Sequence, residues 1–199
     1  NGSAGAIFAF TNKVNKITNP TYISNTAEEY NDLYQTDRIT LNIGSDDYEM
    51  IQYKSSYTGS LPSIYDLRTA GGVTPVKDQG LSGNCWAFAG IAALESCIYK
   101  ATGKSIDLSE ENVKNLIELY SAYGWQQDTN EGGHSEMTWG NLISWLGPVL
   151  EEEDPYDDYS TLSTLKDAFM HVQNVYYLPA RTSPTDNDAI KKAIMDYGA

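Results

Sequence analysis

The chain has 199 residues, enough for one domain with a buried core and an additional segment. Its 27 acidic and 13 basic residues give a net charge of -14, which argues against binding to nucleic acid or to anionic membrane surfaces. No apolar run reaches the roughly 18 residues of a membrane span, and two cysteines are too few for a disulfide framework.

The first 59 residues have the least distinctive pattern. Two stretches, Asp37 to Gly44 and Tyr48 to Ser55, alternate apolar and polar residues, which predicts a hairpin or two short strands. The apolar run from Ala4 to Phe10 has no basic flank or initiator methionine before it. The numbering is therefore expected to begin inside a longer protein.

A loop from Thr74 to Asn84 leads to Cys85, after which the residues become apolar almost all round. This pattern predicts a buried helix that starts at Cys85 and stops at Gly103. The unpaired N–H groups and partial positive charge of a helix N-terminus favour a thiolate there. Cys97 lies about 18 Å further along the helix. No bridge to Cys85 is expected, and Cys97 is interpreted as a small core residue.

The later elements are predicted from capping residues and apolar periodicity. The first is a helix from Glu110 to Tyr123, which Ser109 caps and Gly124 ends, and a polar loop from Gln126 to Gly133 follows it. An amphipathic helix from Met137 to Leu146 carries Trp145 and is stopped by Gly147-Pro148. The last two elements are a strand from Val172 to Leu178 and a helix from Asp188 to Tyr197. The acidic run, Glu151 to Asp158, lacks the ligand spacing of a calcium loop, so a solvated loop without metal is expected.

The stretch DQGLSGNCWAF around Cys85 resembles the nucleophile segment of the papain-type (papain/cathepsin-like) cysteine peptidases. Further stretches that resemble this family are LPSIYDLRTAGGVTPVKDQG at the start of the mature enzyme, LSEEN at Leu108, NEGG at Asn130 and GPVLEEEDPY at Gly147. The resemblance covers about Ser60 to Ala199. One departure is Ser82, which replaces the family's first and usually disulfide-bonded cysteine.

The resemblance implies an α+β, papain-like cysteine peptidase fold in which the helical half is present and the β-rich half is truncated. Cys85 would be the nucleophile, and the side-chain amide of Gln79 would form the oxyanion hole with the backbone N–H of Cys85. The substrate would be a peptide or protein, and no cofactor is implied. The residues expected on the substrate side are Gly132, Gly133, His134 and Met137, with the backbone of Gly133 pairing with the peptide.

The family also needs an imidazole and an orienting asparagine roughly 130–150 residues after the cysteine, at about 215 to 235 here. The sequence stops at Ala199, so residues 60–199 are expected to be the front part of a peptidase domain and to be inactive alone. His134 belongs to the substrate-side loop and His171 opens a predicted strand, so neither is expected to act as the base. That strand would have an open edge, which predicts self-association or cover by the N-terminal segment or by the missing C-terminal half of the domain.

Several alternatives stay open at this point. Residues 1–59 would be either a propeptide or a connector, and the propeptide is slightly favoured because it directly precedes Ser60. The alternative to a peptidase is an inactive, adhesin-like surface protein that keeps the scaffold, although Cys85 and Gln79 together argue against it. The family and Ser82 indicate an extracellular or cell-surface location, as in the peptidase domains of prokaryotic cell-surface proteins.

Overall fold

The regular elements in the described part of the chain are helices and two short paired strands, joined by long loops. The computed structural model describes residues 6–8, 53–117, 128, 131–172, 174–178 and 180–199, which belong to a unit formed by residues 1–10 and 51–199. The elements in chain order are β1 (Ala6–Phe8), α1 (Leu67–Ala70), α2 (Cys85–Thr102), α3 (Glu110–Ile117), α4 (Ser135–Ile143), β2 (Val175–Tyr177) and α5 (Asp188–Tyr197). None of the described helices has the length and the apolar character that crossing a membrane requires.

The predicted helix from Cys85 to Gly103 is confirmed as α2. Gly103 has a φ of 71° and its N–H donates to the carbonyl of Tyr99 at 2.7 Å. This is a left-handed cap that glycine adopts without strain. The apolar face of α2 packs in one core with residues of α3, α4 and β2. Glu95 and Ser96 of α2 are buried as well, which the apolar pattern did not predict.

Helix α3 begins where it was predicted, but its burial was not foreseen. The hydroxyl of Ser109 accepts a hydrogen bond from the backbone N–H of Asn112 at 3.0 Å, which confirms Ser109 as the N-cap. Every residue of α3 is buried, and the side chain of Lys114 is 0% exposed. The predicted end of this helix at Gly124 lies outside the described residues.

Lys77 forms ion pairs with two buried glutamates, Glu95 of α2 and Glu110 at the start of α3, and so offsets the cost of burying their charge. Its Nζ lies 2.9 Å from carboxylate oxygens of Glu95 and Glu110, and 2.7 Å from Asp107. Burial alone would lower the pKa of Lys77, but hydrogen bonds to the three carboxylates raise it above its usual range. One ammonium cannot neutralise three carboxylates. Burial raises the pKa of Glu110 from 4.5 to about 7, despite its hydrogen bond to Lys77, and the nearby charge of Glu95 adds to the rise.

This raised pKa predicts that the protein loses stability as the pH rises. The folded protein holds the Glu110 proton more tightly than the unfolded chain. The contribution is therefore complete below pH 4.5 and lost as the pH rises through about 7. We expect the unfolding free energy to fall by up to about 3 kcal/mol over that range. Urea unfolding at a series of pH values measures this fall in the unfolding free energy.

Glu110→Gln is expected to remove this part of the pH dependence, because the amide cannot ionise. The matched control is Glu152→Gln, which changes an exposed carboxylate further along the chain. Parallel pH profiles for the wild type and Glu110→Gln would show that another group is responsible.

Helix α4 begins and ends earlier than predicted. The apolar pattern predicted Met137 to Leu146, whereas the helix runs over Ser135–Ile143. The last turn tightens, with the N–H of Trp145 donating to the carbonyl of Leu142 at 3.2 Å. Trp145 then has a φ of 60°, which is not helical, and its side chain is part-exposed rather than buried in the core.

The strand near the C-terminus is shorter than predicted and has a partner. Of the stretch from Val172 to Leu178, only β2 is extended and hydrogen-bonded as a strand. It pairs antiparallel with β1, with Ala6 opposite Tyr177 and Phe8 opposite Val175. Residues of the N-terminal segment therefore cover one edge of this strand.

Residues 53–56 are fixed to the end of α5, which has the bounds that the sequence predicted. The carboxylate of Asp196 accepts hydrogen bonds from the hydroxyls of Tyr53 at 2.6 Å and Ser55 at 2.8 Å. It also accepts the N–H of Ser56 at 3.1 Å and its hydroxyl at 2.9 Å. Burial, together with the bond to Asp196, raises the pKa of Tyr53 to about 12. The predicted hairpin lies outside the described residues except for 53–55, which form no strand.

Candidate active site

Cys85 is the first residue of α2, and it is exposed. The carbonyl of Asn84 accepts the N–H groups of Ala87 and Phe88 at 3.0 and 3.2 Å, which closes the first turn of the helix. The first N–H groups of a helix have no partner within it, so this end can stabilise a negative charge on or beside the sulfur. The predicted position of the cysteine is confirmed. Cys97 is buried, and it forms no disulfide with Cys85.

Gln79 lies in the turn that leads into α2. Its Nε2 donates a hydrogen bond to the backbone carbonyl of Ser82 at 2.7 Å, so the side chain folds back over the turn. A carboxamide carries two N–H donors, and this bond uses one of them. The amide is thus bonded to a carbonyl three positions before Cys85 in the chain, and this hydrogen bond defines its direction.

The structure adds Tyr156, which ends the family-like stretch GPVLEEEDPY and to which the sequence assigned no role. Its hydroxyl donates to the backbone carbonyl of Gln79 at 2.7 Å and lies 2.7 Å from the hydroxyl of Ser82. Tyr156 and Gln79 are 77 positions apart in the chain. No local pattern signals this contact, because it depends on how the acidic run folds against α3.

Gly133 lies directly against Trp86, the residue that follows Cys85. A β-carbon at Gly133 would overlap the indole ring, so only glycine permits this approach. The contact brings the loop that contains Gly132 and Gly133 to the same end of α2 as the thiol. His134 follows this loop and immediately precedes α4.

The imidazole of His134 pairs with Glu136, with Nδ1 2.9 Å from the carboxylate. Partial burial raises the pKa of Glu136, but hydrogen bonds from its own backbone, His134 and Ser135 outweigh burial and hold the pKa below its usual range. The imidazole of His171 stacks on the ring of Trp145, with centroids 4.4 Å apart and planes at 18°. Both histidines therefore have partners other than the thiol.

Met137 is placed differently from the other residues expected on the substrate side. Its side chain is 2% exposed and belongs to the hydrophobic core together with residues of α2. Met137 therefore packs against the buried side of α2, the helix that begins at Cys85. Gly133 and Gln79, in contrast, lie near the exposed end of that helix.

The acidic run is a loop whose residues are exposed or half-buried, as the sequence predicted, and some of its carboxylates also bond to other parts of the chain. Asp154 accepts a hydrogen bond from the amide of Asn112 at 2.9 Å, and Asp158 accepts one from the N–H of Leu81 at 3.0 Å. These two bonds could not be predicted, because the partners of the carboxylates lie on distant parts of the chain. Within the described ranges, no group of three or more acidic, histidine or cysteine side chains could hold a metal ion.

Comparisons with known proteins agree on one family. The family model described as papain family cysteine protease matches residues 61–199. Cysteine proteinase 15A of Pisum sativum is 54% identical over 100 residues, which make up 49% of this chain and 27% of that protein. A cathepsin L-like peptidase of Aedes aegypti is 30% identical over 138 residues, or 69% of this chain and 39% of that protein. The chain spans well under half the length of these curated relatives.

A solved structure gives the same result for the fold. It comes from work on the limited antibody cross reactivity between the mite allergens Blo t 1 and Der p 1. The TM-score is 0.61 at 25% identity, and the match covers 89% of this chain and 58% of that one. This likeness supports the predicted α+β, papain-like fold.

Proposed function

Since this chain belongs to the papain family of cysteine proteases, we propose that it is the part of a cysteine endopeptidase that carries the nucleophile. The observation that carries this proposal is the exposed Cys85 at the first residue of a buried helix, with the Gln79 amide fixed in the turn before it. In this proposal the helix N–H groups and the Gln79 amide are the donors for the oxygen of the carbonyl that the thiol attacks.

The proposed reaction is acyl transfer through a thioester. The sulfur of Cys85 adds to the carbonyl carbon of a peptide bond, and the carbonyl oxygen becomes negatively charged. Collapse breaks the C–N bond, and the amine leaves with the proton that the thiol gave up. Water then adds to the thioester, which releases the acid and returns the thiol.

The proton transfers need an imidazole, which in this proposal comes from outside the 199 residues. The resemblance puts that histidine and its asparagine roughly 130–150 residues after the cysteine. The chain matches only 27% to 39% of the length of the two relatives described above, which is compatible with a contribution from further sequence. This proposal gives neither His134, whose imidazole pairs with Glu136, nor His171, whose imidazole stacks on Trp145, a role at the thiol.

The Gln79 amide is assigned to the oxyanion in this proposal. One of its N–H groups holds the Ser82 carbonyl at 2.7 Å, and the second is the one offered to the substrate oxygen. Gly132, Gly133 and His134 are assigned to the substrate side, and the contact of Gly133 with Trp86 supports this. The substrates are peptides or proteins, and we place the protein outside the cell or at its surface.

Trapping of the thioester tests this proposal directly. The full-length gene product is mixed with an activated peptide ester, quenched in acid and examined by intact-mass and peptide mass spectrometry. We expect one acyl group on Cys85, removable by hydroxylamine at neutral pH. Cys97 serves as the control within the same molecule, because it is a thiol at 3% exposure.

Acylation of neither cysteine, with full-length folded protein, would contradict a peptidase role. The alternative from the sequence, an adhesin-like protein that binds without cutting, would then account for the retained scaffold. Equal acylation of both cysteines would indicate that the protein is unfolded rather than catalytic.

A further inference from the structure

Tyr156 holds the turn that precedes the nucleophile through a set of short hydrogen bonds. Its hydroxyl donates to the Gln79 carbonyl at 2.7 Å. Its one proton is used there, so the hydroxyl of Ser82, 2.7 Å away, donates to the phenol oxygen. The amide of Asn84 donates to both oxygens, at 2.6 Å to Ser82 and 3.1 Å to Tyr156. We name Tyr156, Ser82 and Asn84 with the Gln79 carbonyl the Tyr156 cluster.

The same turn fixes the direction of the Gln79 side chain. The carbonyl that accepts its amide belongs to Ser82, whose hydroxyl is a member of the Tyr156 cluster. The backbone and the side chain of Gln79 are therefore both tied to the position of Ser82. Asp158 holds the middle of the turn by accepting the N–H of Leu81 at 3.0 Å. Two residues of the acidic run thus fix one turn at separate points.

Tyr156 is itself held firmly against two helices. Its ring packs edge-on against Phe88 of α2, with centroids 4.8 Å apart and planes at 84°. The buried ammonium of Lys114 in α3 lies 5.2 Å from the centre of the same ring. Lys114 also donates to the carbonyls of Asp157 and Ser160, at 2.7 and 2.8 Å. The phenol hydroxyl is therefore a fixed point, to which the more exposed turn is attached.

We propose that Tyr156 is a positioning residue for the oxyanion-stabilising amide of Gln79. The inference rests on the proposed function and deepens it. Oxyanion donors act because they are already in place when the charge forms, and a displacement of about 1 Å can lower the rate by about 10²-fold. The Tyr156 cluster supplies this fixed placement without a covalent link, since Ser82 has no sulfur to form one.

Tyr156→Phe in the full-length protein tests the inference, because it removes the hydroxyl and keeps the ring contacts. We expect kcat for a peptide reporter to fall at least about tenfold while KM changes by less than about twofold. The matched control is Tyr159→Phe, three residues later, whose side chain is 80% exposed. That variant is expected to keep the wild-type kcat.

Two further measurements separate positioning from a general loss of structure. In a Gln79→Ala background, Tyr156→Phe is expected to lower kcat no further, because the amide that it positions is gone. The rate of Cys85 alkylation by iodoacetamide is expected to stay unchanged, since alkylation forms no oxyanion. Ser82→Ala, which leaves the phenol in place, is expected to lower kcat selectively too.

Three results would overturn the inference. The first is an unchanged kcat in Tyr156→Phe. The second is a fall in kcat caused by Tyr156→Phe that is as large in the Gln79→Ala background as in the wild type. The third is a Tyr156→Phe protein whose alkylation rate falls in parallel with kcat, together with an unchanged kcat in Ser82→Ala. Wild-type protein that hydrolyses no peptide would overturn the proposed function as well. The two failures are therefore distinguishable by the wild-type activity alone.

Discussion

Replacing Cys85 with alanine is expected to lower kcat for peptide hydrolysis by the full-length protein on the order of 10⁶-fold, as for other enzymes that lose their nucleophile. The reason is chemical rather than structural. Alanine keeps the first turn of α2, whose hydrogen bonds involve the backbone of Asn84, but it has no electron pair to attack a carbonyl. The oxyanion donors remain, so a residual rate above that of water is expected.

Peptide reporter kinetics measure this loss, and Cys97→Ala is the matched control. Cys97 lies in the same helix and is 3% exposed, so its substitution removes a thiol without touching the exposed end of α2. We expect Cys97→Ala to lower stability slightly and to keep kcat. Activity that survives in Cys85→Ala would show that another residue is the nucleophile.

Lys114→Met is expected to lower the unfolding free energy by about 3–5 kcal/mol, which is typical when one partner of a buried ion pair is removed. The Lys114 ammonium lies 2.8 Å from the Glu111 carboxylate, and both side chains are almost fully buried. Methionine has a similar length but no charge, so Glu111 would stay in the interior without its cation. The carbonyls of Asp157 and Ser160 would lose their donor too.

Urea unfolding of two comparison variants makes this prediction specific. Lys104→Met changes an exposed lysine and is expected to stay within about 0.5 kcal/mol of the wild type. Adding Glu111→Gln to Lys114→Met is expected to restore at least about 1 kcal/mol, because it removes the uncompensated charge. A Lys114→Met protein as stable as Lys104→Met would mean that water reaches the Glu111 carboxylate.

Elements whose boundaries depend on neighbouring residues could be predicted from the sequence. Helix α2 starts after a glycine-rich loop and ends at Gly103, and the cap that ends it uses only the backbone of that helix. Ser109 caps α3 by a bond to a residue three positions later. Such signals are local, so periodicity and capping rules suffice to read them.

Features that depend on distant partners could not be predicted. Helix α3 has charged residues at positions that usually face solvent, yet Lys114 is buried because its partners come from a loop 43 to 46 positions later. The same loop brings Tyr156 to Gln79. For the site, the motif around Cys85 therefore predicts the reacting group, whereas the residues that hold its neighbours depend on tertiary contacts.

The four hydrogen bonds between residues 53–56 and Asp196 bear on any proteolytic maturation of this protein. If the chain were cut between Ser56 and Ser60 and the upstream part removed, residues 53–56 would be lost. The carboxylate of Asp196 in the last turn of α5 would then lose these four hydrogen bonds. A new amino terminus upstream of Tyr53 would keep residues 53–56, and their bonds to Asp196, in the mature enzyme. A leader that is removed without breaking these four hydrogen bonds would have to end before Tyr53, upstream of the residue where the family likeness begins.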